Sequence, residues 1–286
     1  MPEGPEIRRA ADAVSDAILG KTALEVRFGL EPLKRFEPLL SGREVVRVSA
    51  RGKAMLIGFD NGLTTFSHNQ LYGRWYTVPA YQYPENERQL RLAIHTSNRS
   101  ALLYSASDIQ VLDPDQLQQH PFLSRLGPDV LAATSSADEV LQRLLAKPFV
   151  NRRLGLLLTD QSFVAGLGNY LRCEILFLAE VDPGLKPKEC SQEQLAALAQ
   201  AIIELPRQSY ATGGITSDLA RAEFLMKNGA SFERARFNLF RREGLPCYRC
   251  ATLIRKRKIG SQSCYVCPKC QPAATRLKGT DLFKST

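Results

Sequence analysis

The sequence predicts an α+β protein with more than one domain, because its texture changes twice along the chain. Short β-like runs separated by turn residues fill positions 23–111, whereas apolar residues at helical spacing dominate positions 137–203. Five of the seven cysteines then cluster within residues 247–270. A chain of 286 residues, 44% of them hydrophobic, supports two cores better than one. We therefore expect an N-terminal β-sandwich with flanking helices, followed by a mainly helical domain with a small cysteine-rich appendix.

The individual elements follow from local patterns. A first helix is predicted at 5–19, because Pro5 suits a first helical turn, apolar residues recur at helical spacing and Gly20 ends the run. Six β-like runs predict the sandwich, at 45–49, 54–59, 63–67, 74–78, 90–95 and 101–104. After the turn signals His120-Pro121 and Gly127-Pro128, helices are predicted at 137–146, 153–159, 170–179 and 192–203.

The charge balance favours a polyanionic partner. Lysine and arginine total 38 against 29 aspartate and glutamate, so the net charge is +9 and the pI about 9.3. This excess suits nucleic acid, although many basic proteins bind nothing specific. The sequence contains no signal peptide and no apolar run of about eighteen residues, so we expect a soluble, cytoplasmic protein.

The chain opens with a possible nucleophile, in the run Met1-Pro2-Glu3-Gly4-Pro5-Glu6. Removal of Met1 leaves the secondary amine of Pro2 beside the carboxylate of Glu3. An α-amino group titrates near pH 8, against roughly 10.4 for lysine, so more of it is unprotonated at neutral pH. Its adduct with a sugar aldehyde is an iminium, which draws electrons from neighbouring bonds. Because many chains begin Met-Pro by chance, this chemistry needs independent support.

The cysteine cluster has the spacing of a structural metal site. Two Cys-x2-Cys pairs are separated by the sixteen residues 251–266, and cytoplasmic cysteines at this spacing favour a closed, tetrahedral zinc site over disulfides. The predicted zinc ligands are Cys247, Cys250, Cys267 and Cys270. Cys264 is left over, and Cys173 is expected in a helix core. The alternative is a set of buried or redox-active cysteines.

Three further segments suggest contact with nucleic acid. The basic run Arg255-Lys-Arg-Lys258 lies in a strand predicted at 253–259, where it either presses charge against phosphates or guards a solvated edge. Glycines at 166 and 168 precede a helix, whose free amides make a phosphate site or an ordinary turn. The polar and aromatic loop 67–73 either inserts into a base stack or is a plain hairpin turn with a buried Leu71.

Together these motifs resemble the formamidopyrimidine-DNA glycosylase and endonuclease VIII family over nearly the whole chain. The start at 2–6, the lysine of Arg51-Gly-Lys53, the segment 166–169 and the four-cysteine finger occur in the family's order. The loop 70–72 is most similar to the bacterial endonuclease VIII branch, which prefers oxidised pyrimidines. The resemblance implies a helix-two-turn-helix domain, a zinc finger, and a bifunctional DNA glycosylase and abasic-site lyase of base excision repair.

The resemblance also implies residue roles. Pro2 attacks C1′ of the damaged nucleotide and forms a Schiff base, Glu3 shuttles protons, and Lys53 lies at the adjacent phosphate. The strand is then cut by β-elimination, with δ-elimination following. The remaining implied site residues are those that fill the gap left by the everted nucleotide (Gln70, Leu71 and Tyr72), those that grip phosphates (Arg125 and Asn169) and the carboxylates that shape the pocket (Glu6 and Glu174).

One position departs from the family pattern. The family carries an arginine five residues before the third zinc cysteine, where it contacts phosphates, and this chain has Gln262 there. Glutamine keeps hydrogen bonding but loses the charge and the planar fork. We therefore expect weaker lesion binding and accumulation of β-elimination products. The alternative is a protein that binds damaged DNA without catalysis.

The predicted domains are a catalytic sandwich (1–125), a helix-two-turn-helix domain (126–235), a zinc finger (236–271) and a disordered tail (272–286). The resemblance implies a monomer that acts on double-stranded DNA with oxidised bases or abasic sites, associated with the bacterial nucleoid. Residues 211–230 match the family poorly and form either a lesion-covering loop or a linker. The lesion spectrum stays open, because it depends on pocket shape.

Overall fold

The computed structural model describes residues 2–273 and confirms the α+β fold, with an N-terminal pair of sheets and a C-terminal cysteine-rich unit. The predicted disordered tail, 272–286, lies outside the described residues except for its first two positions. In the described part of the chain, no helix has the length and apolar character needed to cross a membrane.

Two antiparallel sheets and one helix enclose the first core. The helix is α1 (Gly4–Ile18), and the strands are β1 (Thr22–Ala23), β2 (Glu25–Phe28), β3 (Arg43–Arg51), β4 (Ala54–Phe59), β5 (Thr64–His68), β6 (Arg74–Pro79), β7 (Leu90–His95), β8 (Arg99–Tyr104) and β9 (Asp108–Leu112). One sheet has the order β1-β3-β4-β5-β9 and the other β2-β7-β8-β6. Apolar side chains from both sheets meet inside, such as Ile57 and Leu103, and α1 adds Val14.

The second part of the chain is mainly helical. Its helices and those that flank the sandwich are α2 (Glu37–Leu40), α3 (Pro114–Gln118), α4 (Ala137–Leu145), α5 (Leu154–Leu157), α6 (Asn169–Leu178), α7 (Gln192–Ala211), α8 (Leu219–Lys227) and α9 (Phe232–Ala235), with 3-10 turns at Glu31–Phe36, Leu123–Arg125 and Pro187–Glu189. Its core packs α4, α6 and α7 together. The hairpin β10 (Arg255–Ile259) and β11 (Gln262–Val266) carries the cysteine-rich unit.

The structure extends the predicted elements in three places. Strands β1, β2 and β9 were not predicted, because each has only two to five residues and so offers too short a pattern. Helix α7 continues beyond the predicted end at 203 and passes through Pro206, which removes one helical hydrogen bond. Pro206 is buried, and near the end of the helix Arg9 Nη1 donates to the carbonyl of Ser209 (2.7 Å). Within 211–230 the chain forms helix α8, so this region is neither a loop nor an extended linker throughout.

The two parts of the chain meet at the turn that carries Lys53. The Gly52 amide donates to Asp129 Oδ2 (2.7 Å), and the other oxygen of the same carboxylate accepts from Leu131 N (2.9 Å). Gly52 has φ +59, a left-handed conformation that favours glycine. Asp129 thereby joins the β3–β4 turn to the start of the helical part.

We predict that Asp129→Ala lowers the free energy of unfolding by about 1–3 kcal/mol, because the Gly52 amide loses its acceptor in a half-buried position. Urea denaturation measures the loss. Asp16→Ala, which removes an exposed carboxylate from α1, is the control. Equal losses in the two variants would show that the Asp129 contact adds no stability.

Candidate active site

A cleft of about 780 Å³ opens where the sandwich, the helical part and the β10–β11 hairpin meet. Most of the residues predicted for the site line it: Pro2, Glu3, Glu6, Lys53, Leu71, Tyr72, Asn169 and Gln262. The folded chain therefore brings its N-terminus, Lys53, the loop between β5 and β6 and the finger to one place. Up to 260 positions of sequence separate these residues.

Glu3 is the most tightly held of these residues. It is 3% exposed, and its carboxylate accepts hydrogen bonds from the amides of Gly168 (2.7 Å), Tyr170 (2.8 Å) and Leu171 (3.3 Å). A Cβ at position 168 would lie 2.4 Å from the Glu3 carboxyl carbon, so only glycine permits this approach. Burial raises the pKa of Glu3 to about 7, against the opposing effects of Lys53 and of the amide bonds.

Of the two alternatives for the glycines at 166 and 168, a phosphate site or an ordinary turn, this contact argues against a phosphate site made by the amides at the start of α6. Those amides already bind Glu3, a carboxylate of the chain itself, which suits the positive end of a helix. Asn169 keeps its predicted place at the cleft wall, and its Oδ1 accepts a hydrogen bond from Arg172. Any phosphate contact here falls to the Asn169 side chain rather than to the helix end.

Lys53 lies directly after the turn at Gly52 and is 7% exposed. Burial lowers the pKa of its ammonium, while the nearby Glu3 carboxylate opposes that shift. The buried lysine and the buried glutamate therefore lie together in a desolvated part of the cleft. There, small changes in the surroundings shift each side chain between its charged and its neutral form.

Glu6 connects the start of the chain to Tyr170 in α6 and to two arginines. Its Oε2 accepts the Glu3 amide (3.0 Å), and Oε1 accepts the Tyr170 hydroxyl (3.1 Å) and Arg9 Nη2 (3.3 Å). Arg236 lies 3.8 Å from the same carboxylate. Glu6 thus lines the cleft and fixes the backbone at the start of the chain against Tyr170.

The loop between β5 and β6 holds large side chains in solvent, where they add nothing to a core. Leu71 is 59% and Tyr72 70% exposed, so the alternative of a buried Leu71 is wrong. Gln70 stands in a left-handed conformation (φ 50), does not line the cleft, and its Oε1 accepts from Ser107 Oγ (2.8 Å). Large apolar side chains held out at a cleft mark a binding surface.

Two predicted site residues lie away from the cleft. Arg125 is exposed in a 3-10 turn, where its Nε donates to the Pro121 carbonyl (2.6 Å), and it does not line the cleft. Glu174 is fully buried and does not shape the pocket directly. Its carboxylate instead accepts the amides of Asn238 (2.7 Å), Leu239 (2.7 Å) and Phe240 (2.9 Å), and so it fixes the segment that follows α9.

That segment supplies cleft residues that sequence reasoning missed. Arg236, Phe237, Phe240 and Arg241 also line the cleft. The Arg236 guanidinium lies over the Phe237 ring (4.3 Å) and pairs with Glu233 (3.0 Å). A signal was present, because three phenylalanines and four arginines are interspersed from 232 to 242, a composition typical of nucleic-acid surfaces.

The four predicted cysteines form one cluster, with their sulfur atoms all within 4.8 Å of one another. The pairs 247–270, 250–267 and 250–270 are 3.9, 3.4 and 3.5 Å apart. A tetrahedral zinc ion with Zn–S bonds of about 2.3 Å puts its sulfurs about 3.8 Å apart, so the cluster fits such an ion. Cys264 is not in the cluster and lies buried, 3.7 Å from Cys173 in α6.

The basic run of the finger divides into two kinds of residue. Arg257 Nη1 pairs with the buried Asp182 (2.6 Å), and Lys256 pairs with Glu243 (3.5 Å). Arg255 and Lys258 are exposed. Only part of the run is therefore available for phosphates, and none of its four residues lines the cleft.

Comparison with known proteins defines the class. The formamidopyrimidine-DNA glycosylase N-terminal domain model matches residues 1–109, and the helix-two-turn-helix domain model of the same glycosylase matches residues 126–220. The fold, the cleft and the similarity to these domain models together define the class of protein. It is a DNA glycosylase with lyase activity at abasic sites. The chain belongs to the formamidopyrimidine-DNA glycosylase family, in its endonuclease VIII-like part.

Among the relatives are the proteins named Endonuclease 8 of Enterobacter sp. (strain 638) and of Escherichia coli O17:K52:H18. Each is 48% identical over 95% of this chain and 100% of its own length. Similar solved structures include MutM in complex with DNA containing carbocyclic 8-oxo-G (TM-score 0.79, 19% identity) and Lactococcus lactis Fpg with DNA containing an abasic site (TM-score 0.78, 18% identity). Both cover 95% of this chain and 100% of the solved chain, and at this identity they show the shared fold.

We predict a pH dependence that originates in Glu3. With a pKa of about 7, its carboxyl is protonated below neutral pH and ionised above it, so the rate of base release should change with an apparent pKa near 7. Glu3→Gln should remove this inflection, because an amide does not titrate. Single-turnover base release from about pH 5 to about pH 9 measures it.

Glu180→Gln is the matched control, since Glu180 is an exposed carboxylate that pairs with Arg249 outside the cleft. It should keep the inflection of the unmodified chain. If Glu3→Gln keeps the inflection as well, the titrating group is not Glu3.

Proposed function

We propose that this protein is a bifunctional DNA glycosylase and abasic-site lyase of base excision repair, which removes oxidised bases with a preference for pyrimidines. The observation that carries the proposal is the meeting of Pro2, buried Glu3 and buried Lys53 in one cleft. An amine beside a carboxyl with a pKa near 7 is suited to both nucleophilic attack and proton transfer.

The proposed reaction begins with the free amine. The Pro2 nitrogen attacks C1′, the C1′–N bond to the base breaks, and the departing base takes a proton. Opening of the sugar ring leaves an iminium between Pro2 and C1′. Loss of a C2′ proton then sends electrons toward the iminium and expels the 3′ phosphate, which is β-elimination; a second elimination expels the 5′ phosphate. Water finally hydrolyses the adduct and restores the amine.

The neighbouring residues assist at named points in this proposal. Glu3 donates and accepts the protons of base loss and ring opening, and Lys53 lies where the adjacent phosphate enters. Gln70, Leu71 and Tyr72 occupy the gap in the stack, which offsets the few kcal/mol that base flipping costs. The exposure of Leu71 and Tyr72 at the cleft supports this role.

We propose zinc as the ion of the four-cysteine cluster. Four thiolates leave no open coordination position, so the ion would hold the finger together and take no part in the reaction. We propose that the partner is double-stranded DNA, bound by a single copy of the chain in the bacterial cytoplasm. The net charge of +9 and the cations of the cleft support a nucleic-acid partner.

Borohydride trapping tests the nucleophile. Reduction of the iminium by borohydride should join the mature chain covalently to DNA with an abasic site, and peptide mass mapping should locate the adduct at residue 2. Retention of Met1 should abolish trapping, because no amine is then available at Pro2. Pro2→Gly should alter its rate, since a primary amine replaces the secondary one.

Lys147→Gln, a change in an exposed lysine outside the cleft, controls for incidental trapping by exposed lysines. Binding of abasic DNA without any trapped product would favour the alternative, a protein that recognises damage without catalysis. Trapping that persists after Met1 retention would assign the nucleophile to another amine.

A lesion panel tests the preference. Duplexes with thymine glycol, dihydrouracil, 8-oxoguanine or an abasic site are compared by single-turnover incision. We expect the two oxidised or reduced pyrimidines to be processed faster than 8-oxoguanine, and the abasic site to be cut without base release. Faster processing of 8-oxoguanine would contradict the pyrimidine preference.

A further inference from the structure

The finger residue at the cleft wall lacks a charge. Gln262 begins β11 and lines the cleft, but a glutamine offers a phosphate only neutral hydrogen bonds. If the protein binds DNA as proposed above, a phosphate that passes this wall needs a cation from another residue. The following inference rests on that proposed function.

Arg241 is placed to supply this cation. It lines the same cleft, is exposed, and within residues 2–273 forms no ion pair. Its backbone stands in the left-handed region, with φ 58, which few residues other than glycine and asparagine adopt without strain. The next residue, Arg242, is buried and lies 3.5 Å over the Tyr248 ring, so the two neighbouring arginines have opposite environments.

The residues before and after Arg241 are fixed, which holds its position relative to the finger. The Phe240 amide donates to Glu174 (2.9 Å), and the Phe240 ring contacts the Tyr265 ring in β11 at 5.4 Å. Arg242 Nη2 donates to the Pro246 carbonyl (2.9 Å). The anchored residues on both sides therefore fix the backbone of Arg241 at the cleft, and its guanidinium lies 5.5 Å from the centre of the Phe240 ring, which also lines the cleft.

The other cations of the cleft have different partners or positions. Lys53 is buried beside Glu3, and Arg236 pairs with Glu233 and Glu6. Arg88 donates to the Tyr72 carbonyl (2.6 Å) and Arg74 belongs to β6, so both lie on the sandwich side. Arg241 is the cleft cation nearest in sequence to Gln262.

From this geometry we infer that Arg241 makes the charged phosphate contact on the finger side of the cleft, in place of a cation at position 262. This inference revises the expectation that Gln262 alone weakens lesion binding. A guanidinium presents a planar fork of donors that matches a phosphate, so the contact has the same chemistry from a different backbone position.

The test is the salt dependence of binding to a duplex that carries a tetrahydrofuran abasic-site analogue, which cannot be cleaved. Arg241→Asn should weaken binding by roughly tenfold or more and lower the slope of log affinity against log salt by about 0.9, the loss of one phosphate contact. Asparagine tolerates the left-handed backbone, so the variant keeps the local fold. Arg234→Asn, an exposed arginine in the same segment that does not line the cleft, is the matched control.

A second substitution tests whether a cation at position 262 can replace the cation at position 241. Gln262→Arg should change binding little in the unmodified chain and should restore both affinity and slope in the Arg241→Asn background. The inference is overturned if Arg241→Asn and Arg234→Asn have equal affinity and slope, or if Gln262→Arg gives the same gain in both backgrounds. Borohydride trapping of the unmodified chain is read separately, so a failed nucleophile and a failed phosphate contact give distinguishable results.

Discussion

The bond between the Glu3 carboxylate and the amides that begin α6 is the interaction on which the site depends. It joins the third residue of the chain to residues 168–171 and fixes the start of α1 against the helical part. A buried carboxylate is costly unless donors compensate it, and three amides at the positive end of a helix do so. The adjacent Pro2 consequently has one place, at the floor of the cleft, rather than the freedom of an ordinary terminus.

A second buried carboxylate, that of Glu174, makes the same kind of contact with another segment of the cleft lining. Glu174 accepts the amides of 238–240, just as Glu3 accepts those of 168–171. In both cases a buried carboxyl group accepts amides that have no partner in a helix or sheet, at the first turn of α6 for Glu3 and in the loop after α9 for Glu174. Because the Glu3 and Glu174 contacts fix two segments that line the cleft, the backbone there is preorganised before DNA binds. Binding therefore costs less conformational entropy.

The sequence predicted what depends on local pattern. Helical spacing indicated α1 and α6, turn residues separated most strands, and the two Cys-x2-Cys pairs identified the ligands of one cluster. It could not predict which distant donors satisfy Glu174, nor that Glu3 occupies the amides assigned to a phosphate, because those choices arise only after folding brings remote segments together. Arg241 was missed for the same reason, since its exposure and backbone conformation follow from its anchored neighbours.

The long sequence separation within the cleft has a consequence for synthesis. Pro2 leaves the ribosome first, yet its setting requires Gly168, the segment after α9 and the hairpin that holds Gln262. Domains generally fold as units during translation, with the N-terminal one first, so the sandwich can form early while the start of the chain still lacks its partners. A nascent or truncated chain therefore has no assembled cleft, which is complete only once nearly all of the polypeptide has been made.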